Sequence, residues 1–500
     1  MNWLPLLPLL TCFSVVILNC FFWRYSILQK SVHLIGSVLL LFVTAILFYT
    51  VLQHEILVVQ LGHFPAPFGI TFVIDMFSAI MLLITGIIGF SVSLYAISDI
   101  NSWHQKFGFY VAYWILLMGI CGAFSTGDLF NLYVWFEVML IASFVLLVLG
   151  NHKMQLDGTM KYVSLNLVAT ILMLLAIAML YAMVGTLNMA DLALKLKLYP
   201  LKGTVTTVVL LLAIAFSIKS ALFPLFFWLP ASYHTTNVTT TAIFAGMLTK
   251  VGIYSLIRLT TLILPNSHYI LSILLFSAGM TMLTGVLGAA SQFHFRRLLS
   301  FHIISQIGYM VMGLAIYTPL ALAGAIFYIV HHIIVKTNLF LISGVCSRIG
   351  KTSDIRKLGG FYQQYPYLAI LFFIPAFSLA GIPPLSGFWG KFILLKAAFS
   401  SSHYIIAALS LFVSLLTLYS MTKIWIQVFW KNPPDSHDVS KVALWDIKSF
   451  FSFFPIIALA LITISIGIFP QIFFKIILQT SEQLLHPEWY IHSVLGANVE

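Results

Sequence analysis

Residues 215–230 read AFSIKSALFPLFFWLP, and residues 378–392 read SLAGIPPLSGFWGKF. Each is an apolar run that carries a single lysine and is interrupted by proline: Pro224 and Pro230 in the first, Pro383 and Pro384 in the second. Proline removes a backbone donor and collides with the preceding turn, so both runs are predicted to be broken helices. Broken backbone at membrane depth is tolerated only where it faces protein or a water-filled cavity, which is also where ion sites are found. Lys219 precedes its break, whereas Lys391 follows its own.

Working outward, the 500 residues are 61% hydrophobic and only 8% charged, with a mean hydropathy of +1.03. Soluble chains carry roughly one-quarter charged residues, so a water-soluble fold is excluded. At about 20 apolar residues per crossing, fourteen runs of spanning length between residues 3 and 474 predict an all-α integral membrane protein with about 14 transmembrane helices. The connections are short, and the whole of 1–500 reads as a single membrane domain. The opening MNWLPLLPLL has no basic residue ahead of it and is expected to be the first span rather than a cleaved leader.

The net charge of +11 comes from basic residues scattered singly between apolar runs, which argues for membrane orientation and against nucleic acid. Loops after odd-numbered spans hold fourteen Lys and Arg, among them Arg296, Arg297, Arg348 and Arg356, and the other side holds six. The positive-inside rule then places both termini outside a multi-pass protein of the cell membrane. Cys12, Cys20, Cys121 and Cys346 are far apart, with no metal or redox spacing, and no GxGxxG follows a strand. No cofactor or metal is expected.

The map leaves five lysines inside helices: Lys219, Lys250, Lys336, Lys391 and Lys423. A charge at mid-membrane costs at least about 2.5 kcal/mol on insertion scales, so such residues are usually paired, hydrated and functional. Only one acid lies deep in a span. Glu137, in NLYVWFEVMLIASFVLL, is roughly 15 Å from its helix start at 1.5 Å per residue. Lys219 is its expected partner, and the pair is expected to load and unload a proton. In YIVHHIIVKTNLF, His332 and Lys336 are four apart and share one helical face, with His331 turned away by about 100°. With Lys250 in AGMLTKVGIY and Lys391 they form a row that can pass protons. Lys423 is expected to reach an interface, and His234 to cap or gate one side.

Because the lysine precedes one break and follows the other, two inverted repeats are expected, residues 107–263 and 269–430, each of five helices with one broken. Residues 1–106 form three N-terminal helices, and 450–474 a last one.

The stretches FPLFFWLPASYHT, AGMLTKVGIY, RRLLSFHIISQIGYM and LAGIPPLSGFWGKF, in this order, resemble the proton-conducting antiporter-like subunits shared by complex I, membrane-bound hydrogenases and Mrp (Mnh) multisubunit Na⁺/H⁺ antiporters. The resemblance runs from about residue 60 to 430. It implies fourteen helices with two inverted five-helix repeats and supports roles for Glu137, Lys219, Lys250, Lys336 and Lys391. Lys391, where the complex I subunit of similar length usually has glutamate, and the segment GHFPAPFGITFVIDMFSA make the chain most similar to the Mrp branch. After His234 the family usually carries prolines, and this chain has TTNVTTTA instead.

The expected function is proton translocation in a hetero-oligomeric cation/proton antiporter, driving Na⁺ efflux. The chain would be a transporter subunit and no enzyme. A hard cation wants several oxygen ligands, so one deep acid places the Na⁺ path in a partner subunit. The alternative is a proton-pumping membrane subunit of an NADH dehydrogenase or hydrogenase.

Overall fold

The computed structural model describes residues 3–198, 203–264, 268–433 and 447–496, which leaves Lys202 and Lys441 of the loop count outside. Its first helices are α1 (Leu7–Phe21), α2 (Ser26–His54), α3 (Met76–Asp99), α4 (Phe109–Ser125), α5 (Leu129–Val148), α6 (Lys153–Val184), α7 (Thr204–Ser220) and α8 (Val238–Ile263). There follow α9 (His268–Ser291), α10 (Phe295–Ile316), α11 (Pro319–Ile349), α12 (Pro366–Ala380), α13 (Ser386–Ser400) and α14 (Tyr404–Trp430). The chain closes with α15 (Ile447–Ile468), α16 (Pro470–Leu485) and α17 (Pro487–Leu495).

The molecule is a multi-pass membrane protein of the all-α class, with a short β-hairpin. Among the described residues eleven helices are long and apolar enough to cross a bilayer, and α4, α7 and α12 are apolar but shorter. The expectation of about fourteen spans took those three at full length. Two of them, α7 and α12, stop at the broken segments.

Burial ranks the helices. The spanning windows of α8 and α11 are wholly buried and that of α10 nearly so, whereas α2, α6 and α14 expose more than half of theirs. A helix that is apolar all round belongs in the centre of a bundle, and these three central helices carry Lys250, His302, His332 and Lys336. Polar side chains mark the starts of several helices. Asp75 accepts from the Ser78 N–H ahead of α3, and Asp128 from that of Asn131 ahead of α5. Asn237 accepts from the Thr240 N–H at 2.8 Å, so the TTNVTTTA departure opens α8 with an asparagine cap in place of proline.

Two ends differ from the sequence reading. The run expected to span from residue 70 begins as a strand: β1 (Leu57–Gln60) pairs antiparallel with β2 (Thr71–Ile74), Leu57 opposite Ile74, and α3 starts only at Met76. The TFVI tetrad, three β-branched residues and a phenylalanine, favours the ladder. The last predicted span, 450–474, ends at Ile468, because Pro470 opens α16 at a helical first position. The amphipathic α16 then packs back along α11.

Candidate proton-transfer site

At the first break α7 ends on Ser220, and Ala221 takes the left-handed conformation at φ 58°. The backbone groups freed there find new partners. Ser217 O accepts from the Leu222 N–H at 3.0 Å, Ile218 O from the Trp228 indole at 3.0 Å, and the Phe223 N–H donates to Thr281 Oγ1 of α9 at 2.9 Å. With the break satisfied in this way, Lys219 is left buried in the bundle. Its Nζ donates to Thr170 Oγ1 at 3.2 Å and to Asn166 O at 3.4 Å, both on α6, and lies 5.5 Å from the Phe136 ring centre.

Glu137 follows Phe136 on α5, half-buried, with Oε1 buried and without a hydrogen-bond partner among the described residues. Glu137 and Lys219 are near enough to interact electrostatically. Among the described residues no ion pair within 4.0 Å includes Glu137 or any of the five intramembrane lysines. The expected pair is therefore held apart, with the lysine bound to α6.

Lys250 sits on α8 two residues after a π-helical stretch, Phe244–Leu248. The extra residue in such a turn misaligns the ladder, and Lys250 Nζ takes up Ala245 O at 2.5 Å. Gly252 lies one turn beyond Leu248, where a Cβ would stand 2.5 Å from Ser220 Oγ and 2.8 Å from Ser220 N, so only glycine lets α8 meet the end of α7. From α11, Lys336 Nζ donates to Leu299 O of α10 at 3.3 Å. His332 is fully buried, with both ring nitrogens unbonded among the described residues, and its charged or titratable neighbours there are Lys250, Lys336, His331 and His302. His302 is likewise unbonded. The structure thus gathers Lys250, His332, Lys336 and His302 where α8, α10 and α11 meet.

The second break is built differently. Gly381 takes φ 94° at the end of α12, and the Gly387 N–H, at the start of α13, donates to Ser378 Oγ at 3.2 Å. Lys391 Nζ reaches back from α13 to donate to Ala380 O at 3.1 Å, capping α12, and lies 4.9 Å from the Tyr309 ring centre. His331, read from the sequence as facing away, sits 2.8 Å from Ser386 Oγ, which is itself 3.1 Å from Ser378 Oγ. The histidine couples α11 to this break, and only the close sequence neighbourhood of His332 pointed to it.

The remaining residues lie elsewhere. His234 Nδ1 is 2.9 Å from Pro230 O, its ring is 5.3 Å from that of His294, and its charged neighbours are Arg296 and Arg297, so it belongs to a loop-side cluster. Arg296 donates to Thr236 O there. Lys423 Nζ donates to Ala290 O at 2.9 Å and Gln292 O at 2.8 Å, which caps the end of α9. Arg258, counted from the sequence as a loop residue, is buried at the end of α8 and bound to Asp75 at 2.5 Å. A lone basic residue at the edge of an apolar run gave no sign of that.

The chain belongs to the family described as NADH:quinone oxidoreductase/Mrp antiporter, TM, whose sequence profile matches residues 126–417. Within that class the chain is similar to a Na(+)/H(+) antiporter subunit from Alkalihalophilus pseudofirmus, 46% identical over 99% of this chain and 100% of the relative. It is also similar to the Na(+)/H(+) antiporter subunit of the same name from Bacillus subtilis, at 36% identity with the same coverage. Among solved structures, a chain of the Mrp complex from Dietzia sp. DQ12-45-1b superposes with a TM-score of 0.91 at 29% identity, covering 99% of both chains.

Proposed function

We propose that this chain is the proton-translocating subunit of a hetero-oligomeric Na⁺/H⁺ antiporter of the bacterial cell membrane, with both termini outside. The observation that carries this reading is the row of buried, carboxylate-free lysines and histidines at the meeting of α8, α10 and α11, flanked by a broken helix on either side. The names of the similar subunits and the complex that holds the structural neighbour support the partners.

Glu137 receives a proton from the aqueous side and, with Lys219, forms the input switch. Lys219 holds its place through Thr170 and Asn166, and a change of charge on Glu137 alters the balance between those bonds and the carboxylate. Lys250, His332 and Lys336 relay the proton, with water completing the unbonded imidazole nitrogens of His332 and His302. Like charges in so poorly solvated a cluster repel strongly, so arrival at one group favours departure from the next. His331, through Ser386, carries the row to the second break, where Lys391 delivers the proton outward. His234 stands at the loop-side mouth, and Na⁺ crosses through a partner subunit. Residues 107–263 and 269–430 act as two inverted copies, each supplying one broken helix.

The test is Na⁺-induced proton movement in everted vesicles carrying the whole complex, comparing wild type with Lys336→Met at equal assembly. The reading expects robust movement in wild type and at least about a tenfold loss in the variant, the order of a removed proton-transfer group. Pumping driven by NADH or hydrogen, with no Na⁺ response in wild type, would instead establish the redox-enzyme alternative.

A further inference from the structure

α8 carries Lys250, Tyr254 and Arg258 at four-residue spacing, which puts them on one face. The three residues mark a track along α8 from the central lysine toward the end of the bundle where α3 begins. The track closes in a buried cluster that the relay does not use. Arg258 Nη2 donates to Asp75 Oδ1 at 2.5 Å and to Ser78 Oγ at 3.0 Å, and Arg258 Nε donates to Tyr254 Oη at 3.1 Å. Tyr254 Oη donates to Phe124 O at 3.1 Å and lies 2.8 Å from Ser78 Oγ. The guanidinium also lies against the rings of Tyr254, Tyr490 and Phe77, at 5.1, 5.5 and 5.8 Å. Tyr490 comes from α17, whose fold back over the cluster places its hydroxyl against Gly127, ahead of Asp128.

Two physical points set the role. Replacing a buried ion pair by apolar residues of similar volume is often neutral or stabilising, so stability alone gives little reason to keep one. In addition, the phenol of Tyr254 is saturated: it accepts from arginine, meets serine and gives its hydrogen to a backbone carbonyl. It cannot turn to hand on a proton. The carboxylate of Asp75 sits at the N-terminus of α3, where the Ser78 N–H holds it at 2.9 Å, so the guanidinium is the member of the pair that faces Tyr254 and the track. A fixed positive charge at a constriction excludes protons and cations.

We propose that Arg258, held by Asp75 and sealed by Tyr490, is a positive plug that closes the α8 track, so that a proton at Lys250 passes to His332 and Lys336 and does not escape at the α3 end. The plug presupposes the relay under Proposed function. Its test reads passive proton flux without Na⁺, and is therefore independent of antiport.

The whole complex, reconstituted in liposomes, is given a potassium diffusion potential in Na⁺-free buffer, and proton flux is followed with a trapped dye. Asp75→Asn/Arg258→Met keeps the volume and removes both charges, and we expect it to raise passive flux at least about tenfold, a small part of what one unpaired charge a few ångströms away carries in a weakly polar interior, because the carboxylate offsets most of it. Arg258→Lys, which keeps the charge, is expected to stay within about twofold of wild type on the same scale. An assembled double variant as tight as wild type overturns the plug. So does a leak of equal size in assembled Arg258→Lys, which would mean that packing and not charge makes the seal; the lysine variant decides the matter if the double variant does not assemble. Failure of the relay would show separately, as antiport that survives loss of Lys336.

Discussion

Lys219 and Lys423 are both lysines in apolar helices, yet their surroundings assign them opposite parts. Lys219 is buried and bound to Thr170 and Asn166 beside Glu137, while Lys423 is half-exposed and gives its hydrogens to two carbonyls at the end of α9. Lys219→Met is expected to abolish Na⁺-driven proton movement in the assembled complex. Lys423→Met is expected to leave transport intact and to cost about 0.3–1 kcal/mol, the worth of a cation at a helix C-terminus, read as a small drop in the melting temperature of the complex. Loss of transport in Lys423→Met would place that lysine in the relay. The sequence marked Lys219, Lys250, Lys336 and Lys391 because a charge within an apolar run is costly and therefore conspicuous. It did not mark His331, since a helix with one wet side has one facing row, and α11 is buried on every side with the second break packed against it. Arg258 and Asp75 escaped for a related reason: each lies at the end of a helix, where a charge looks ordinary until the fold buries it.

The breaks belong to the scale of elements. Their positions are legible from Pro224, Pro383 and Pro384, but the way each is closed is not, because part of the closure comes from residues distant in sequence, Thr281 of α9 at the first break and His331 of α11 at the second. At the second break Gly381 has φ 94°, and a Cβ there would lie 3.0 Å from Lys391 Cδ. Gly381→Ala is therefore expected to destabilise the complex by about 1–3 kcal/mol of backbone strain and to displace Lys391 from Ala380. Transport should fall more steeply than stability. Thermal unfolding and Na⁺-driven proton movement measured on the same preparation check this, and equal activity per assembled complex would contradict it. At the first contact between elements, Gly252→Ala drives a methyl into the backbone of Ser220, and overpacking of that kind costs about 1–3 kcal/mol, measured as reduced assembly. The hairpin and the C-terminal turn at Pro470 are not legible because hydropathy alone cannot separate a four-residue apolar strand, or the start of a new helix, from the end of a span.

Across the whole molecule, charge is arranged in two tiers. Ion pairs such as Arg258–Asp75 and Arg348–Asp99 lie toward the ends of the bundle, whereas the centre holds lysines bonded to neutral oxygens and histidines that, among the described residues, include His302 and His332 with no hydrogen-bond partner. A central lysine without a carboxylate has no ion pair to break before it gives up its proton, and that suits a relay better than a static scaffold. The proposed relay begins at one deep acid, Glu137. Na⁺-induced proton movement by the whole complex in everted vesicles, compared among wild type, Glu137→Gln and Glu137→Asp at matched assembly, tests this most directly. The account predicts that movement vanishes in the glutamine variant and returns in part with aspartate, which restores a titratable group. Full activity in assembled Glu137→Gln would contradict it.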